Sequence, residues 1–152
     1  MSHVATVELE VRDLGALRAA CAEVGLEFRE GQTTHRWFGK WVKDYHGSDA
    51  AYLNGIDPKS YGKCDHALAV KGNANAYEVG VVKMPGGAHK LVWDFYGGGY
   101  GLMAAIGKSG KNLIQAYAGQ VARKSLALRG FVPAGKKVKA DGTVELVFER
   151  RS

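Results

Sequence analysis

The chain has 152 residues and a mass of 16.4 kDa, with 46% hydrophobic and 24% charged residues, which fits one globular domain and is too short for two. A chain of this size buries roughly 70% of the surface its unfolded form exposes, so its core needs neither disulfides nor a structural metal. The 21 Lys and Arg against 15 Asp and Glu give a net charge of +6 and a pI near 9.3, which favours acidic partners: nucleic acid, an anionic small ligand or an acidic protein. Cys21 and Cys64 are too few for a disulfide framework, and a reduced, cytoplasmic protein is expected. No apolar run reaches the roughly 18 residues of a membrane span, so no membrane partner is expected.

Charge is unevenly placed. Residues 1–30 carry three arginines against six carboxylates, which leaves +9 for the rest of the chain. Val4 to Val11 alternates, with Val7, Leu9 and Val11 on one side and Thr6, Glu8 and Glu10 on the other, as a half-buried strand does. Asp13 is placed to cap a helix over residues 13–24, in which Leu14, Leu17, Cys21 and Val24 share a face until Gly25 ends it. Leu26 and Phe28 open a second strand. Residues 32–63 are the least regular part, with an early strand and then a long polar loop; residues 35–63 form an irregular insertion.

Three strands follow over residues 64–71, 76–84 and 89–96, separated by Gly72-Asn73 and Pro85-Gly86-Gly87 turns too short for anything but antiparallel pairing. Gly97-Gly98-Gly99 leads to an apolar stretch at Leu102 to Ile106. A long helix over residues 111–129 carries Leu113, Ala116, Tyr117, Val121 and Leu128 and stops at Gly130. Residues 131–139 and 143–150 flank Ala140-Asp141-Gly142 as a closing hairpin. The pattern predicts a single α+β domain: a mainly antiparallel sheet of five to seven strands with the two main helices on one face.

Three groups of residues are candidate sites. Gly107-Lys108-Ser109 has the look of a phosphate loop, but the glycine such a loop requires five positions earlier is Leu102 here, and the preceding strand belongs to an antiparallel meander. Gly97, Gly99 and Leu102 likewise fail the last place of the dinucleotide pattern. A flexible strand-to-helix connection accounts for these glycines. Cys64 and His66, two apart on one strand, share a face, His3, His35, His46 and His89 could supply further ligands, and Asp94 on a neighbouring strand could converge with the first two, yet no C-x-x-C or H-x-x-x-H pair supplies the second half of a metal site, and no third group orients a base. The expectation is no metal, no cofactor and no catalytic residue in this chain.

The stretch from Thr34 to His46 is the most informative. Trp37, Trp41 and Tyr45 recur four apart, with Arg36, Lys40 and Lys43 among them. Aromatic faces stack on bases while cations hold phosphates, so Arg36, Trp37, Lys40, Trp41, Lys43 and Tyr45 form a candidate ligand-binding set. The same spacing also describes a core strand with a charged outer face. A second basic group, Lys136, Lys137 and Lys139 with Arg150 and Arg151, lies on the closing hairpin.

The opening Met1-Ser2-His3, Arg12-Asp13-Leu14, Leu17 through Gly25, Tyr77-Glu78-Val79-Gly80, Trp93-Asp94, Gln115-Ala116-Tyr117-Ala118, Gly130-Phe131 and Asp141-Gly142-Thr143 together resemble the proteins known as hypothetical chloroplast reading frame thirty-five, which have plastid, cyanobacterial, bacterial and tailed-phage members. The resemblance covers about residues 1–30 and 64–150. Residues 35–63 are more similar to the phage-borne form, which implies a phage accessory protein. It brings no reaction, cofactor or catalytic residue with it. The functional expectation is therefore a non-enzymatic binding protein for nucleic acid or a phosphorylated small ligand, with a protein-binding adaptor as the alternative.

Overall fold

The computed structural model describes residues 4–6, 9–37, 62–94, 96–140 and 144–150. Five strands, β1 (Val4–Thr6), β2 (Leu26–Glu30), β3 (His66–Val70), β4 (Val79–Lys83) and β5 (His89–Asp94), form one sheet in the order β1-β5-β4-β3-β2, every pair antiparallel. Three helices, α1 (Leu14–Val24), α2 (Leu102–Ile106) and α3 (Lys111–Leu128), precede or follow these strands, and β6 (Phe131–Val138) and β7 (Val144–Arg150) close the chain. This is the α+β architecture expected from the alternation and the short turns. Among the described residues, no helix is long and apolar enough to cross a membrane.

Side chains alternate across each strand, and one set makes the core. Leu26, Leu68, Val79, Val81, Leu91 and Trp93 meet Leu17, Ala20 and Cys21 of α1, Leu102 and Ile106 of α2, and Leu113, Ala116 and Tyr117 of α3. Both main helices thus lie on one face, and they pack on each other. The opposite face carries small residues, Ala67, Ala69 and Gly80, which leave room for a further layer. His35 fills part of it, so close that a Cβ added to Gly80 would lie 2.6 Å from its Nδ1.

Helix α1 is fixed at both ends by its own sequence. Asp13 Oδ1 accepts from the Ala16 amide at 2.9 Å, and the Gly25 amide donates to the Cys21 carbonyl from a left-handed conformation (φ 78) that glycine adopts without strain. Lys124 of α3 donates to both oxygens of Asp13, at 3.0 and 2.9 Å, so the same carboxylate caps one helix and ties it to another. The Ala16 amide first, and then Lys124, hold the Asp13 carboxyl below its ordinary pKa. Asp13→Ala is expected to cost about 1 kcal/mol at neutral pH, as loss of an N-cap does. Because the folded-state pKa is lowered, that contribution is present above the ordinary carboxylate range and disappears as the pH falls through the lowered value. Urea unfolding of both proteins at pH 7 and pH 3 checks it, and the gap should narrow in acid.

Two features differ from the sequence expectation. The strand expected over residues 4–11 is interrupted: Val4 pairs with Asp94 and Thr6 with Val92, whereas Val11 bridges His89 through two backbone bonds of 2.9 and 2.8 Å. The pairing has slipped by two residues between Thr6 and Val11, as an irregularity in one strand does. The closing hairpin does not join the main sheet. β6 and β7 form a separate two-stranded ribbon with a bulge between Pro133 and Gly135, and it leans on α3, where Leu146 Cδ1 comes within 3.2 Å of the Cβ position of Gly119. A two-stranded ribbon is marginal alone, so this contact with α3 supports it.

Candidate functional site

Of the six residues expected to bind a ligand, the structure places two; Lys40, Trp41, Lys43 and Tyr45 lie outside the described residues. Trp37 is a correction to the expectation of a ligand contact, because only 6% of it is exposed. Its indole faces Gly62, where a Cβ would stand 2.9 Å from Nε1, so Trp37 packs directly on the backbone at residue 62. Arg36 is exposed.

Arg36 is held by β4 and the turn before it. Its amide donates to Glu78 Oε1 at 2.8 Å and its carbonyl accepts from the Glu78 amide at 2.9 Å. The nearly buried Glu78 carboxylate also takes Gln32 Nε2 at 3.1 Å and Arg29 Nη1 at 3.5 Å. One buried carboxylate therefore pins residues 32–36 to the sheet by several charge-assisted bonds. The Arg36 guanidinium reaches the turn at residues 73–77, donating to the Ala74 carbonyl and, at 3.5 Å, to that of Ala76.

The same turn holds a second feature that sequence reasoning passed over. Residues 97–101 are all left-handed, with φ of 62, 70, 68, 53 and 120, and the one non-glycine among them is Tyr100. A left-handed tyrosine costs about 1–2 kcal/mol, which a glycine there would avoid. Asn73 Nδ2 donates to the Tyr100 carbonyl at 3.0 Å and the Tyr77 amide to the Gly99 carbonyl at 2.8 Å. The Tyr100 ring stands edge-on to Tyr77, centroids 5.1 Å apart, and remains 52% exposed. The signal was present in the sequence, as a lone aromatic in Gly-Gly-Gly-Tyr-Gly, but a glycine run reads first as a phosphate loop.

Gly107-Lys108-Ser109 joins α2 to α3 rather than a strand to a helix, and the strand before α2, β5, is antiparallel to both its neighbours, unlike the strand of a phosphate loop. A Cβ at Gly107 would meet the Asn112 amide at 3.0 Å, so packing explains that glycine.

Cys64, His66 and Asp94 are directed to different partners. The Cys64 thiol donates to the Gln32 carbonyl at 3.2 Å, and burial pushes its pKa up to about 12, which keeps it protonated and unreactive at neutral pH. His66 Nδ1 accepts from the Gly31 amide at 3.0 Å, and its ring lies 5.9 Å from that of His89 on the helix-facing side of the sheet. Asp94, next to Trp93 on β5, alternates to the opposite side and is fully buried. Burial first, and His66 next, lower the pKa of His89. Among the described residues, no group of three or more His, Cys, Asp or Glu is placed to hold a metal ion. Compared with protein families, curated proteins and solved structures, the chain matches none.

Proposed function

We propose that the protein is a non-enzymatic binding protein for single-stranded nucleic acid, engaged at the surface that carries Arg36 and Tyr100. The observation that carries the reading is that one turn, residues 73–77, fixes both an exposed arginine and a half-exposed tyrosine kept at a backbone cost. A base stacks on the open face of the ring and a neighbouring phosphate meets the guanidinium, the pairing that single strands require. The +9 charge beyond residue 30 supplies the long-range attraction. Lys40, Trp41, Lys43 and Tyr45 follow directly in the chain and extend the same chemistry, and the resemblance to phage-borne proteins supports an accessory role.

Fluorescence anisotropy with a labelled oligothymidine and a labelled duplex, at about 50 and 200 mM salt, tests this. The single strand should bind more tightly and lose affinity steeply with salt. Tyr100→Gly removes the platform and relieves the strain together, so affinity should drop about fivefold or more while stability stays within about 1 kcal/mol. Arg36→Gln should flatten the salt slope by about 0.7. Absent or salt-independent binding would defeat the proposal.

A second reading, a protein-binding adaptor, draws on Leu128 and Val138, which are 90% and 67% exposed near the basic residues of α3 and the ribbon. An acidic partner captured by the native protein and lost with Leu128→Asp would favour it over the first.

A further inference from the structure

A groove of about 600 Å³ runs between α3, the end of α1 and the closing ribbon, within the size range of small-molecule sites. Small residues, Ala105, Ala116 and Ala122, line it beside Leu146, which packs on Gly119. Arg123 from α3 and Lys136 from β6 line it. Glu23 also lines it; its carboxylate accepts from Gln120 and forms an ion pair with Arg123, Nη1 at 3.8 Å, which leaves the Arg123 Nε edge and Lys136 for an incoming anion. Arg123 Nε is buried and has no acceptor among the described residues. A guanidinium presents Nε–H beside an Nη–H as a fork that matches two oxygens of one anion, and a lysine adds a point charge to it.

We propose that this groove binds a small organic phosphate, with the phosphate on Arg123 and Lys136 and a polar body against the side-chain amides of Asn112 and Gln115, which share the lining. Arg123 and Lys136 outnumber the one carboxylate of the lining, Glu23, which suits an anionic group, and the amides supply donors and acceptors for a sugar or base edge. The groove's lining includes neither Arg36 nor Tyr100, and the site does not depend on their role.

Calorimetric titration with adenosine monophosphate, ribose 5-phosphate, inorganic phosphate and adenosine tests it. At least one of the two organic phosphates should bind with a dissociation constant below about 1 mM, more tightly than inorganic phosphate or adenosine. Arg123→Gln should weaken it about tenfold or more, whereas Tyr100→Gly should leave it unchanged. Ala118→Glu, an exposed position on the groove's lining, should weaken it too, and it decides the matter if Arg123→Gln fails to fold. Failure of both organic phosphates to bind, or undiminished affinity in the folded variants, would overturn the proposal. Loss of affinity in Tyr100→Gly with none in Arg123→Gln would assign the phosphate to the other surface and also overturn it.

Discussion

Gly110→Ala is expected to destabilise the protein by about 2–5 kcal/mol, from a backbone cost of about 1–2 and an overpacking cost of about 1–3 kcal/mol. Gly110 sits at the start of α3 with φ 72, and a Cβ there would lie 2.7 Å from Cη2 of Trp93, a ring that is itself 1% exposed. Neither element can yield cheaply: Trp93 is enclosed by the helices of the core, and α3 cannot shift without disturbing Leu113, Ala116 and Tyr117. Gly25 and Gly98 are the controls. Both are left-handed (φ 78 and 70), and both have open space where a Cβ would go. Alanine at either should cost only the backbone part. Denaturant unfolding of the three variants separates the two causes, and equal losses at Gly110 and Gly98 would show that Trp93 is not in contact there.

Acid should weaken the fold through His35. Burial holds its pKa down to about 4, against an ordinary value of 6.5, so the native protein refuses a proton that the unfolded chain accepts. Above pH 6.5 the group is neutral in both states and contributes nothing to the pH dependence. Stability should then fall as the pH drops from 6.5 to 4, by a total of roughly 3 kcal/mol, and level off below. His89, whose pKa is also lowered, by burial first and His66 next, adds a loss of the same sign below pH 6.5. Asp13 acts only in stronger acid, since its ordinary value is already 3.8. His35→Gln removes the titrating group: whatever it does to stability at pH 7, the slope between pH 6.5 and 4 should become shallower. An unchanged slope would mean that His35 is protonated in the folded state.

How much of this was legible in the sequence depended on how local the cause was. Asp13, the apolar face of α1 and Gly25 lie within one short stretch, and the helix they predicted is the helix found. The turns at Gly72-Asn73 and Pro85-Gly86-Gly87 likewise dictated the β3-β4-β5 meander from neighbouring residues alone. The slip in pairing between Thr6 and Val11 was not legible, because the alternation of residues 4–11 is unbroken and the partner that sets the register lies some 80 positions away. Trp37 could be read as core or surface from its spacing; Gly62, which seats its ring, belongs to a distant part of the chain. The groove beside Arg123 was hidden for a similar reason, since it exists only where the ribbon comes to rest on α3. Tyr100 was visible as a letter but not as a conformation: only the five consecutive positive φ values reveal that an aromatic stands where glycine is the unstrained choice.

The proposed binding of single strands at Arg36 and Tyr100 is tested most directly by mapping amide chemical shifts of the isotopically labelled protein as unlabelled oligothymidine is added. The account predicts the largest shifts at Arg36, at residues 73–77 and at the glycines flanking Tyr100, and their loss in Tyr100→Gly. Shifts confined to α3 and the closing ribbon, or none at all, would contradict it.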